Sequence, residues 1–414
     1  MRQYLQRLTI VPLFEAGRLV LWLRIRLRTE ITMPKNTNKE EMTETAEELR
    51  DALMATSPDG VFTGLVPYDK NKLLSSGFVP LNLACTSSQK GFIAPGGYCI
   101  IFGDSESGKT WLQLQILAEA ANDPVFDDYR LIVDNSENGI GMDIERFFGR
   151  KLASRLEPPA YESDGTPFNS ETVEDFYVNI DEAIHKGIPF IYVMDSITSL
   201  SSVADDEKFD ENKKIHLGNR IKGTDKDLSG SYGMAIARIH SQNLRRVLAG
   251  LRKTGSILIV AAQSRDNVTG YGASKIYAGG RALKFYSHLE IQTSVASRLK
   301  KTHNGRDRIV GTVSRIRVTK NRYTGQRPEV LLPIYNQYGV DPVGGTLDWL
   351  IEEKIISKEK QSICIPAMEL KGTFEKLVRT IEEEGREEEL YAFAQQSWED
   401  ILESVAVQRK QRYE

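Results

Sequence analysis

Short, almost unbroken apolar runs recur through the middle of the chain. Longer segments between them repeat their apolar positions every three or four residues. The runs YCIIF (98–102), YRLIV (129–133), PFIYVM (189–194) and SILIVAA (256–262) predict strands buried on both faces. Between them, 109–121 predicts a helix with Leu112, Ile116, Leu117 and Ala120 on one side, and 171–186 predicts another, N-capped by Ser170 and stopped at Gly187. The segment 235–253 carries Leu244, Val247, Leu248 and Leu251 at helical spacing, with Arg238, Arg245 and Arg252 seven apart on nearly the opposite side. Alternating strands are expected at 287–293 and 312–319. Residues 157–170 and 264–280 read as loops, 56–97 as turn-rich, and 201–232 as a charged, irregular, exposed excursion. Strands alternating with helices predict an α/β fold, a mostly parallel twisted sheet flanked by helices.

From about 341 the pattern turns helical and acidic, which sets off 341–414 as a small helical or α/β domain behind a core at 73–340. Residues 33–72 open with polar MPKNTNKEEM and predict a helix at about 40–55 followed by a linker. Residues 1–32 differ from the rest: six Arg, no Lys, two Glu and the alternating run LWLRIRLR. We read them as an extension lacking from a natural chain that starts at Met33. A transit peptide or a basic membrane-surface segment is the alternative, and an intact mass that includes residue 2 would decide for it.

The chain of 414 residues, 40% apolar and 27% charged, fits neither a disordered tail nor a membrane bundle. No stretch approaches the roughly 20 apolar residues of a spanning helix. Cys85, Cys99 and Cys364 form no CxxC pair, which suits a reducing compartment such as the cytoplasm. The net charge of −3 hides a segregation. Residues 230–330 hold 19 Lys and Arg against 4 Asp and Glu, whereas 332–414 hold 10 against 17. A basic middle points to a polyanion-binding face.

Residues 103–110 read GDSESGKT (Gly103, Asp104, Ser105, Glu106, Ser107, Gly108, Lys109, Thr110), followed by Trp111. This fits G-x-x-x-x-G-K-[ST] between a predicted strand and a predicted helix. Gly103 and Gly108 let the backbone curl so that N–H groups and the helix N-terminus cradle phosphate oxygens. Lys109 is expected to reach the outer phosphates and Thr110 to bind Mg²⁺. Asp195, at the end of strand 189–194, suits the Mg²⁺ shell. Asp134 and Glu137 both follow strand 129–133, and spacing does not choose between them as the carboxylate that orients the attacking water.

Several further segments resemble one family, the RecA-type homologous recombinases, phage recombinases of the UvsX kind included. The resemblance covers roughly 73–350. It rests on LLSSGFVPLNLA (73–84), NSENGI (135–140), FIYVMDSITSL (190–200), SGSYGMAIARIHSQNLRRVLAGL (229–251), AAQSR (261–265), GGRALKFY (279–286) and SRIRVTKNR (314–322). It implies a RecA-like ATPase core preceded by a polymerisation helix in 33–72. It implies ATP and Mg²⁺ as ligands and a homo-oligomeric helical filament on single-stranded DNA that pairs and exchanges strands with double-stranded DNA in recombination and repair. Single-strand-binding and loader proteins would be further partners, in a bacterial or phage-infected cytoplasm.

The resemblance selects Glu137 as the catalytic carboxylate and makes Gln263 the sensor of the γ-phosphate. It assigns Arg238, Ser241, Arg245, Arg265, Gly279, Gly280 and Arg281 to single-stranded DNA and Arg315 and Arg317 to the second strand. Lys320 and Arg322 would reach a neighbour's ATP, and Lys284 and Phe285 would lie at the protomer boundary. Tyr271 and Tyr277 would stack on bases or pack against the next subunit. Where the family places an acidic residue and an aromatic near adenine, this chain has Gly141 and Ile144, and it has Gln292 and Thr293 where basic residues are expected. A ring helicase of the same fold and a DNA-binding filament scaffold with weak ATPase are the alternatives.

Overall fold

In the computed structural model the described residues are 68–222, 234–266, 275–277 and 279–410. The expectations for 1–67, for the loop preceding 234, and for Tyr271 lie outside them.

After a helical turn comes α1 (Val79–Thr86), then β1 (Tyr98–Gly103), α2 (Lys109–Asn122) and β2 (Arg130–Asp134). Two short helices, α3 (Ile144–Phe148) and α4 (Arg150–Arg155), lead to β3 (Leu156–Glu157) and the small hairpin β4 (Ala160–Tyr161) and β5 (Pro167–Phe168). Next are α5 (Val173–His185), β6 (Phe190–Met194), α6 (Val203–Lys222), α7 (Met234–Thr254), β7 (Ile257–Asp266), β8 (Lys275–Tyr277) and α8 (Arg281–Tyr286). A long hairpin, β9 (Leu289–His303) and β10 (Arg306–Asn321), precedes β11 (Glu329–Tyr335), β12 (Gly339–Val340) and α9 (Pro342–Glu352). The chain closes with β13 (Ser357–Glu359), β14 (Ser362–Ile365), β15 (Leu370–Gly372), α10 (Phe374–Glu383) and α11 (Glu387–Ser404).

The main sheet runs β12-β11-β10-β9-β1-β7-β6-β2-β3, with β8 on the end of β7. The strands from β9 to β3 are parallel, in keeping with the mostly parallel sheet expected; β10, β11 and β12 extend it antiparallel. Alternate residues supply two cores. Cys99, Ile101, Ile191, Val193, Ile257 and Ile259 face α1, α2 and the C-terminal helices. Tyr98, Ile100, Phe102, Tyr192, Met194, Leu258 and Val260 face α5, α7 and α8. The segment from 341 contributes Leu347, Trp349, Leu377, Leu390 and Trp398 to the first of these cores.

Four local expectations are corrected. Residues 203–222 are helical, not irregular. The helix has no apolar stripe for periodicity to detect, but Ser202 caps it, its hydroxyl accepting from Asp205 N–H at 3.2 Å. Thr172, not Ser170, caps α5, in a capping box with Asp175, because Ser170 is engaged by Asp134. The loop at 264–280 begins and ends as a ribbon, with Ser264, Arg265 and Asp266 opposite Tyr277, Ile276 and Lys275. The strands expected at 287–293 and 312–319 continue to 303 and from 306, far past their apolar parts, as one exposed hairpin.

Candidate nucleotide and nucleic-acid site

β1 delivers the chain to Gly103 at the C-terminal edge of the sheet, and the loop to Gly108 leads directly into α2. Gly103 has no room for a side chain: a Cβ there would lie 2.2 Å from the Thr293 carbonyl and hydroxyl oxygens. Strands β9 and β10, on one side of β1, hold the loop. The Ser107 and Thr293 hydroxyls meet at 2.7 Å, and Ser314 Oγ donates to the Ser107 carbonyl at 2.6 Å. Lys109 is buried and turned back on the loop. Its ammonium donates to Gly103 O at 3.1 Å and Asp104 O at 2.8 Å. Burial lowers its pKa, and the Asp195, Glu137 and Asp104 charges oppose the fall. A cation held only by carbonyl oxygens beside a curled glycine loop fits a phosphate site.

Thr110 Oγ1 donates to Asp195 Oδ2 at 2.6 Å. Burial raises the pKa of Asp195, the Thr110 hydrogen bond lowers it, and the Glu137 charge raises it. This pair of oxygens beside the loop suits a hard cation. The structure separates the two carboxylates that spacing left open. Asp134 is fully buried and accepts from Ser170 N at 2.8 Å, Ser170 Oγ at 2.6 Å and Tyr192 OH at 2.7 Å, a structural engagement. Glu137 is exposed. Its Oε1 accepts from Gln263 Nε2 at 2.8 Å and from Ser196 Oγ. Thr198, unremarked in the sequence, fixes Gln263 by accepting from its backbone N–H at 3.0 Å. Lys109, Thr110, Asp195, Glu137 and Gln263 thus converge on one corner of the sheet.

A cavity of about 450 Å³ opens beside the loop. Its walls include Lys109, Thr110, Trp111, Met142, Arg298 and Ile334. Trp111 packs edge-on against Phe147 at 5.1 Å and forms part of the wall. β7 and β9 flank β1 and both run on past Gly103, so two ribbons rise beside the phosphate loop. Each is tied to a loop acid. Lys275 Nζ lies 3.0 Å from Asp104, which also accepts from Ser264 Oγ, and these two partners lower its pKa. Arg298 lies 2.6 Å from Glu106. The sequence singled out neither cation.

The residues assigned to DNA by resemblance fall into groups. Arg238, Ser241 and Arg245 are exposed on α7, and Arg265 and Arg281 are exposed at the two sides of the 264–280 segment. Gly279 and Gly280 close that segment against α7. Gly280, at φ +81°, would place a Cβ 2.8 Å from that of Ala237, which fixes the approach. Arg315 and Arg317 share Glu329, at 3.1 and 2.7 Å. Lys320 and Arg322 lie toward the opposite end of β9 from the phosphate loop. There they donate to the Phe285 carbonyl at 2.9 and 2.6 Å, and the Phe285 ring stands 66% exposed. Tyr277 is corrected from a base-stacking candidate. Its ring packs on Phe102 at 4.9 Å and its hydroxyl donates to buried Glu290 at 3.0 Å. Glu290 also pairs with Lys284 at 2.8 Å.

A family profile described as the RecA N-terminal domain matches residues 219–341. Protein RecA of Caulobacter vibrioides is 27% identical over 272 residues, 65% of this chain and 65% of that protein, so the match spans just under two thirds of the relative. Protein RecA of Chlorobium limicola is 25% identical over 277 residues, 65% of this chain and 67% of that protein. The crystal structure of the RadB recombinase is 17% identical with a TM-score of 0.41, covering 65% of this chain and 98% of that one. The profile spans Gln263, the segment 279–286 and the strand 314–322, which a generic phosphate-loop protein has no reason to carry. With those segments and the phosphate loop on one sheet, the chain is similar to the RecA-type recombinases over about two thirds of its length.

Proposed function

We propose that the chain is a DNA-dependent ATPase that assembles on single-stranded DNA as a helical filament and catalyses homologous pairing and strand exchange. The observation that carries this reading is the Gln263–Glu137 hydrogen bond of 2.8 Å, at the point where β7 leaves the sheet for the 264–280 segment. A side chain touching the candidate catalytic carboxylate is continuous in sequence with a candidate DNA-binding segment. ATP acts chiefly as a conformational ligand, which shifts the balance only by binding one state more tightly than the other.

Lys109 exchanges its two carbonyl partners for phosphate oxygens. Thr110 and Asp195 would hold Mg²⁺, which supplies positive charge to the phosphate chain. Glu137 orients a water and accepts its proton. Gln263 follows what happens at Glu137, and Ser264 with Lys275 connects the adjoining ribbon to Asp104. Arg238, Arg245 and Arg265 attract the strand without reading its sequence, which base pairing reads instead.

The test is ATP hydrolysis with and without single-stranded DNA, run beside a strand-invasion assay. Stimulation by DNA together with joint-molecule formation is expected. Hydrolysis indifferent to DNA, or duplex unwinding in place of joint molecules, would refute the proposal. Among the described residues no helix is long and apolar enough to cross a membrane.

A further inference from the structure

Beyond Thr293, the last residue of β9 paired with β1, β9 continues past the phosphate loop with β10 beside it. The register slips on the way. Val295 stands opposite Ser314 but Ser297 opposite Val313, so β9 carries one extra residue, Ala296, between them. Such a bulge re-aims the side chains that follow it. Without it Ser297 would stand opposite Thr312; with it Arg298 does. Thr312 lies two residues from Ser314 on β10, so it shares the face on which Ser314 Oγ holds the Ser107 carbonyl. The bulge therefore turns Arg298 toward the phosphate loop.

There the guanidinium is held at two points. It donates to Thr312 Oγ1 at 2.7 Å and to Glu106 Oε2 at 2.6 Å. Glu106 sits in the loop itself at φ +59°, a left-handed backbone that residues other than glycine rarely adopt. An acid in a phosphate cradle repels the ligand. Among the residues that line the cavity, Lys109 and Arg298 carry the positive charge and Glu106 the negative. The Arg298 and Glu106 side chains are 38% and 69% exposed, and an ion pair so open to solvent is weak. A phosphate offers the guanidinium more charge, and arginine binds it bidentately. Lys109 shows the same arrangement, a cation resting on loop oxygens beside the place a phosphate would take.

We propose that Arg298 is a second cationic ligand of the nucleotide's phosphates, supplied by the same chain, and that Glu106 holds it in reserve until the triphosphate displaces the carboxylate. The proposal rests on the ATP reading above, and it concerns a residue outside both the phosphate-loop motif and the segments of resemblance. The competing account is structural: the ion pair merely pins the loop to the β9–β10 hairpin. The two accounts differ in sign. A pin is lost equally with either partner, whereas a reserved ligand and the acid that competes for it act oppositely.

The test is the ATP affinity of the full chain with Mg²⁺, by isothermal titration calorimetry, for wild type, R298Q, R298K, E106Q and R298Q/E106Q. R298Q should bind ATP about 10–100-fold more weakly, through loss of a charge-assisted contact. E106Q should bind it about two- to fivefold more tightly, through release of a surface ion pair. R298K keeps the charge and loses the fork, so it should fall between wild type and R298Q. In the R298Q background E106Q should gain little, because no guanidinium remains to be released. Without nucleotide all four variants should melt near the wild-type temperature, which shows that they fold. Weakening by R298Q and E106Q alike makes the pair a structural pin and overturns the proposal. Equal gains from E106Q with and without Arg298 mean a charge felt at a distance and overturn it too, as does an unchanged affinity in R298Q. A wild-type chain that binds no ATP refutes the ATPase proposed above, which separates that failure from an Arg298 that touches no phosphate.

Discussion

Asp134 and Glu137 lie three residues apart, and replacing each in turn separates architecture from chemistry. Asp134→Ala removes the acceptor of three buried hydrogen bonds, at 2.6 to 2.8 Å, and strands Tyr192 OH and Ser170. Each stranded buried donor costs about 1–3 kcal/mol, offset in part because the carboxylate's own desolvation disappears. A net loss of about 3–5 kcal/mol follows. Over the 347 residues from Tyr68 to Glu414, at about 2.1 cal/mol/K per residue, the melting temperature should fall by about 4–7 °C. Differential scanning calorimetry reads this directly, while ATP turnover per folded molecule should stay near wild type. Glu137→Gln should do the reverse. Its side chain is exposed, so stability should change by at most about 0.5 kcal/mol. Turnover should fall by about 10²–10⁴. An Asp134→Ala chain that melts normally but does not hydrolyse ATP, or a Glu137→Gln chain that turns over at the wild-type rate, would refute the assignment.

Three further outcomes are expected. Burial and the neighbouring Arg322 charge lower the pKa of Lys320 to about 8. Its positive charge is present below that pH and lost above it, so DNA-stimulated hydrolysis should decline as pH rises through about 8, and Lys320→Arg should remove the decline. Asp104→Asn weakens the ties to Ser264 and Lys275, so ATP binding measured by fluorescence should persist while its effect on single-strand affinity shrinks. If ATP raises single-strand affinity as much as in wild type, the ribbon is not a coupling element. Phe285→Ala removes a ring that is 66% exposed on the isolated chain. If a neighbour covers it, about 2 kcal/mol is lost and the concentration needed for assembly in light scattering rises about thirtyfold. An unchanged threshold would place the boundary elsewhere.

The parallel sheet and its phosphate loop were legible because both are local. Runs such as YCIIF and PFIYVM are apolar at every position, since each strand is buried on two faces, and GDSESGKT has fixed spacing. The apolar stripe of α7 was legible for the same reason. The helix α6 is not legible in this way because helical periodicity registers only where one side is buried; its local signal is the cap, Ser202 with Asp205.

What folding alone decided was which distant side chains meet. Asp134 and Glu137 both follow the same apolar run, yet the pleat of β2 turns Asp134 inward to Tyr192, and the turn after the strand leaves Glu137 beside Gln263, 126 positions later in the chain. The pairing of Asp104 with Lys275 and of Glu106 with Arg298 follows from strand order and register. Those are long-range properties. A pattern read along the chain records which face a residue prefers, and the sheet determines what stands across from it.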